Sequence, residues 1–142
     1  MNISENLIRE IVEKVLKESA QNDSVGFEKH KDPSGIIGVK TATVKTERFE
    51  KDGVSLKDIL TLEEAPRMGA GIMELDNSFL EWTLTYDEYD VVLEGVLEIE
   101  IDGRTIRGEV GDIIYIPKNS HIFFKTPSFA RYAYFVYPAD WQ

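Results

Sequence analysis

Tyr86-Asp87-Glu88-Tyr89-Asp90-Val91-Val92-Leu93-Glu94-Gly95 and Gly111-Asp112-Ile113-Ile114-Tyr115-Ile116-Pro117-Lys118-Asn119-Ser120-His121 decide the fold. Each is a β-rich run closed by a turn residue, and Asp102-Gly103 between them marks a tight hairpin. Strand patterns recur outward from this pair: Val39 to Phe49, Gly71 to Leu75, Leu80 to Leu84, Asp90 to Ile101, Thr105 to Ile106, Asp112 to Ile116, Ile122 to Phe124 and Arg131 to Tyr137. Short strands with frequent turns predict an all-β barrel. Leu56-Lys57-Asp58-Ile59-Leu60 is too brief to separate a helical turn from a short strand.

The N-terminal stretch reads differently. Ser4 is an N-cap candidate, and Leu7, Ile8, Ile11, Val12, Val15 and Leu16 recur at helical spacing, with charged residues at the remaining positions. This predicts a short amphipathic helix within residues 1–19 whose apolar stripe needs a surface to lie on. Residues 20–37 are rich in Asn, Asp, Ser, Lys and Gly and read as a flexible linker, leaving 38–142 for the barrel.

Bulk properties bound the function. A chain of 142 residues is one domain's worth and can bury a substantial core. A formal net charge of −10 disfavours nucleic acid, whose binding relies on clustered Lys and Arg. Absence of cysteine excludes disulfides and thiolate metal sites and points to a cytoplasmic protein. No apolar run approaches the roughly 20 residues that span a bilayer, so no membrane partner is expected.

The informative chemistry lies on one strand face. Glu88 and Asp90 alternate with Tyr89, so both carboxylates point the same way, with Tyr86 just before them. If that face is the barrel lumen, the pair must be hydrated, hydrogen-bonded, partly protonated, or neutralised by a hard cation such as Mg²⁺. Alternatively the strand twist exposes Asp90 and leaves Glu88 paired with Arg131 or Lys45. Glu74, between Met73 and Leu75, faces either lumen or water.

Glu88, seven residues before Gly95, followed by Gly111-Asp112 and Pro117, resembles the paired motifs of the cupin family from about Gly69 to Tyr137. That resemblance implies a jelly-roll barrel (a double-stranded β-helix). Metal-binding cupins carry histidines at the positions of Trp82 and Leu84, and a second-motif histidine where Ile122 stands. His121 comes one residue early, which turns it to the opposite face unless a shortened turn restores it. No transition metal is expected, since such sites want several imidazoles with a carboxylate.

Residues 84–95, the Gly111-Asp112 to Pro117-Lys118 stretch and the closing Tyr137-Pro138-Ala139-Asp140-Trp141 resemble one cupin branch, the EutQ family of ethanolamine-utilisation proteins. The resemblance implies a place in a bacterial microcompartment and an acetate kinase activity with ATP and acetate, or acetyl phosphate, as partners. No G-x-x-x-x-G-K-[ST] phosphate loop is present, so any nucleotide site is unconventional. Phosphoryl transfer needs positioning and charge compensation. On that reading Glu88, Asp90 and Tyr86 are the catalytic candidates, and Glu88 with Asp90 would hold Mg²⁺. Lys45, Lys118, His121 and Arg131 would compensate phosphate charge, and Trp82 and Tyr134 would stack or hydrogen-bond. The N-terminal helix would dock on a shell or cargo protein, or fold back onto the barrel or a partner protomer. A homodimer is expected, as cupin barrels commonly dimerise. The alternative to a kinase is a non-catalytic cupin that binds a small ligand or assists microcompartment assembly.

Overall fold

The structure, a computed structural model, describes residues 6–12 and 26–141. Two compact units divide the chain after Lys45. In the N-terminal unit, residues 6–12 are helical with Leu7, Ile8, Ile11 and Val12 exposed. The rest of the helix expected to Ser19 lies outside the described residues. β1 (Lys29–Lys31), inside the stretch expected as linker, pairs antiparallel with β2 (Ile37–Val39), which begins at its last residue, and the chain turns through Asp32, whose side chain accepts from the Ser34 amide. The strand expected from Val39 to Phe49 is interrupted by a 3₁₀ turn, Thr41–Thr43.

The second unit is built from β3 (Glu47–Phe49), β4 (Lys51–Asp58), β5 (Gly69–Asp76), β6 (Leu80–Thr83), β7 (Asp87–Ile101), β8 (Arg104–Glu109), β9 (Ile113–Ile116), β10 (His121–Lys125) and β11 (Phe129–Tyr137). All pairings are antiparallel. The order β3-β4-β5-β11-β7-β9 makes one face of the barrel, and β8-β7-β10-β6 makes the other. Leu56 to Asp58, left open between helix and strand, belong to β4.

One strand, β7, serves both faces, and Gly95 is where it turns. Before Gly95 the inward residues are Glu88, Asp90 and Val92; beyond it they are Leu97 and Ile99. The change of parity requires an irregular backbone, which Gly95 supplies at φ 70°. A Cβ there would lie 2.0 Å from the Phe129 carbonyl oxygen. Gly95 therefore forms a corner within a continuous strand. Asp102 and Gly103 both take positive φ and close the β7–β8 hairpin as the dipeptide predicts.

The core fills the space between the faces with Val54, Leu75, Leu84, Leu97, Ile122 and Tyr132, each almost fully buried. Short apolar alternation on many strands suffices for this, because each contributes two or three inward side chains.

Candidate functional site

Among the buried side chains of the barrel are three that carry or pair charge: Glu88, Asp90 and Arg131. Arg131 is placed by the parity of β11. Tyr132, Tyr134 and Val136 enter the core, while Arg131 points the other way and pairs with Glu74 on β5. It does not neutralise the carboxylates, and Glu74 is accounted for by the same pair.

Glu88 and Asp90 face inward together from β7. Both Asp90 oxygens are buried without a protein hydrogen-bond donor. A proton shared between the two carboxyls satisfies this arrangement, and burial favours it by penalising charge. Burial pushes Glu88 up to about 7, opposed by its hydrogen bond with Asp90. Asp90 is held well above the usual carboxylate range by burial first, then by the Glu88 charge and the same hydrogen bond. Near pH 7 Asp90 thus keeps its proton and donates it to Glu88, while Glu88 is about half ionised, so the pair falls from two protons to one as pH rises through 7.

Above Glu88 lies a small lumen of about 20 Å³, lined by Glu88 and by the rings of Phe49, Trp82, Tyr86, Tyr134 and Trp141. That is room for about one water. Trp141 meets Phe49, Trp82, Tyr86 and Tyr134 edge-on, with ring centroids 5.8, 6.1, 6.5 and 6.3 Å away. Trp82 donates its Nε1–H to the Tyr86 hydroxyl at 2.9 Å. Tyr134 O–H at 2.5 Å and Trp141 Nε1–H at 3.2 Å both donate to Asp58 Oδ1. Gly71 makes room for Tyr134, whose ring a Cβ would meet at 2.1 Å. Burial, followed by the Glu88 charge, raises the Tyr86 hydroxyl above its ordinary value. Trp141 also lines a second cleft of about 280 Å³ with Asp58, Thr61, Gly69 and Asp140, so its indole forms the wall between lumen and cleft.

The sequence candidates divide accordingly. Glu88, Asp90, Tyr86, Trp82 and Tyr134 come together. Lys118 sits exposed in the turn after β9, where its backbone N–H donates to Asp87. His121 points outward, its ring nitrogens 2.6 Å from Thr83 Oγ1 and 2.8 Å from Glu81 Oε2. The one-residue offset is not compensated by the preceding turn, so strand parity turns the imidazole away from the lumen. Lys45 belongs to the N-terminal unit. Among the described residues lining the lumen there is no Lys, Arg or His. Asp58, Phe49 and Trp141 were missed as site residues. Trp141 had a signal in the aromatic tail, whereas Asp58 and Phe49 had none, because they reach the site only through the pairing of β3, β4 and β5.

Among the described residues no group of three or more His, Cys, Asp or Glu side chains could hold one metal ion. Two carboxylates suit Mg²⁺ in kind, but Mg²⁺ keeps several waters and the lumen has room for about one. Mg²⁺ does not fit the lumen as it stands.

The corner strand and the two faces define a cupin fold, here with an inward-facing acid. The cupin domain of an XRE-family transcriptional regulator from Enterobacter cloacae superposes with a TM-score of 0.54 at 15% identity, covering 61% of this chain and 97% of that one. At that identity the likeness concerns the fold alone. The chain belongs to the EutQ family, "Ethanolamine utilisation protein EutQ", whose pattern matches residues 3–142. It is 44% identical to "Acetate kinase EutQ" of Clostridioides difficile over 99% of this chain and 95% of that protein. The solved structure of the Clostridium difficile EutQ protein matches with a TM-score of 0.79 and 46% identity over 82% of this chain and 90% of that one. "Acetate kinase EutQ" of Salmonella typhimurium is 40% identical over 98% of this chain, which spans 64% of its length. No helix among the described residues is long and apolar enough to cross a membrane.

Proposed function

We propose that this chain serves ethanolamine utilisation as an acetate kinase, moving a phosphoryl group between ATP and acetate to give ADP and acetyl phosphate. The observation that supports the reading is its near full-length similarity to a relative named for that activity. The acetate oxygen attacks the γ-phosphorus and ADP leaves, so no proton need be removed from the nucleophile. The role left for the buried pair is to position: a protonated Glu88, with Asp90 behind it, donates a hydrogen bond to the one acetate oxygen that reaches into the lumen, with Tyr86 alongside. Acetate held this way binds best while the carboxyls keep their protons, so its affinity falls as pH rises through about 7. The nucleotide is far larger than the lumen and must lie outside it, with Mg²⁺ on its phosphates. The test is formation of acetyl phosphate and ADP from acetate, ATP and Mg²⁺ by pure protein beside a Glu88→Gln variant, below the melting point of both. Activity lost on substitution supports the reading; an inactive, folded parent protein refutes it.

A second reading, a non-catalytic barrel that binds a small ligand, is favoured by the aromatic-lined lumen and by the absence of any basic side chain among its described lining residues. Under either reading the exposed helical residues Leu7, Ile8, Ile11 and Val12 offer an apolar face to a microcompartment shell or cargo protein. Ile8→Asp with Ile11→Asp should abolish that association while the barrel stays folded. Tyr89, Ile113, Tyr115 and Phe135 are exposed on paired strands of one face and fit a homodimer contact, which light scattering on a Tyr89→Lys variant would test.

A further inference from the structure

We propose that the lumen binds the cationic head of a small organic ammonium compound, caged by Phe49, Trp82, Tyr86, Tyr134 and Trp141 over the Glu88 carboxyl. This rests on the ligand-binding reading above and names the ligand class.

Three observations carry it. The first is what faces the lumen. Trp82 spends its N–H on Tyr86, while Tyr134 and Trp141 spend their donors on Asp58. Beside the apolar side chains of Leu56, Met73, Leu80 and Val136, what is left is aromatic rings, the Tyr86 O–H and one carboxyl. A cation is attracted by the rings and the carboxyl, through the negative face of each ring and through the carboxylate oxygens. An anion gains nothing from the rings, and from the carboxyl only while it holds its proton. The second is Asp90, fully buried on the same inward face, with two oxygens that no protein donor serves. A buried acid pair with no cation in the lumen wall needs a proton or a positive ligand. A cation above Glu88 supplies the missing charge.

The third is size and access. A lumen of about 20 Å³ accepts a group of about one heavy atom, which suits an ammonium head and not a whole molecule. The remainder needs a path, and Trp141 provides one. Its indole borders both the lumen and the cleft of about 280 Å³, held by one hydrogen bond to Asp58 and by edge-on contacts to four rings. Rotation of this side chain would join the two spaces. The cleft is bordered by Asp58 and Asp140 and by no basic side chain among its described lining residues, so it too suits a positive guest.

The groups facing Glu88 set the pH response. They are Asp90 on β7, Tyr86 before it, and Tyr132 and Tyr134 on β11; Asp58, at the end of β4, faces Tyr86 and Tyr134. The tyrosines are all raised and stay neutral near pH 7. Glu88 is the group that changes charge there, so a cation binds more tightly as pH rises. Its ionised fraction grows about tenfold between pH 6 and pH 8, and affinity should follow. Acetate should show the opposite trend.

Both tryptophans of the chain line this lumen, so intrinsic fluorescence reports on it directly. The experiment is fluorescence titration of the full chain, without nucleotide, by methylammonium, ethanolamine and sodium acetate at pH 6, 7 and 8. Saturable binding of an amine that tightens about tenfold from pH 6 to pH 8, and weakens at least tenfold in Glu88→Gln, supports the proposal. Trp141→Phe keeps a ring and should bind the amine with a smaller loss than Trp141→Ala. Amine binding that is unchanged in Glu88→Gln overturns it. Saturation by acetate alone overturns the ligand class while leaving a ligand-binding barrel, and no saturation by any of the three overturns both.

Discussion

Replacing Glu88 by Gln isolates the energetic consequence of burying an acid pair. In the unfolded chain the Glu88 carboxyl titrates near 4.5, and in the folded barrel near 7. The folded state therefore holds this proton over a range in which the unfolded chain has lost it. The associated stability is fully present below pH 4.5 and is lost as pH rises through 7. A difference of about 2.5 units at 1.36 kcal/mol each corresponds to about 3 kcal/mol by pH 8. Asp90 adds a decline of the same sign from its own raised value. Gln is close to isosteric, accepts the Asp90 proton through its carbonyl oxygen and cannot ionise. The variant should therefore keep only the Asp90 share of the pH dependence and be the more stable protein at pH 8, by up to about 3 kcal/mol or roughly 10 °C in Tm. Urea denaturation of both proteins at pH 5, 6, 7 and 8 measures this. Parallel pH profiles, or a variant less stable than the parent at pH 8, would refute the shared-proton account.

Asp58→Ala removes the acceptor for both Tyr134 and Trp141 and should cost about 1–3 kcal/mol in urea denaturation. Its tryptophan emission should shift to the red as the Trp141 wall loosens. Gly95→Ala places a methyl 2.0 Å from the Phe129 carbonyl oxygen at a positive φ, and should destabilise by more than about 2 kcal/mol, visible as lost thermal stability or lost soluble yield. His121→Ala, which removes exposed contacts to Glu81 and Thr83 outside the lumen, should leave acetyl phosphate formation within about twofold of the parent and stability within about 0.5 kcal/mol.

The sequence by itself determined the strand and turn pattern, the Asp102-Gly103 hairpin, and the fact that Glu88 and Asp90 share a face. These are local properties: side chains alternate along a strand, and a turn dipeptide acts within four residues. The missing histidines came from the cupin resemblance, read against Trp82 and Leu84. Tertiary structure alone decided that the shared face is the lumen. Which face turns inward depends on the corner at Gly95, where β7 exchanges one parity for the other as it passes between faces. Partner choice was equally non-local. Arg131 meets Glu74 across 57 residues of chain and so is spent away from the acids. Asp58 meets Trp141 across 83, closing an aromatic wall whose parts carry no common local signal. Burial, a property of the whole packed barrel, then converts two ordinary carboxyls into a proton-sharing pair, because charge without solvent or counter-ion is costly wherever the chain happens to place it.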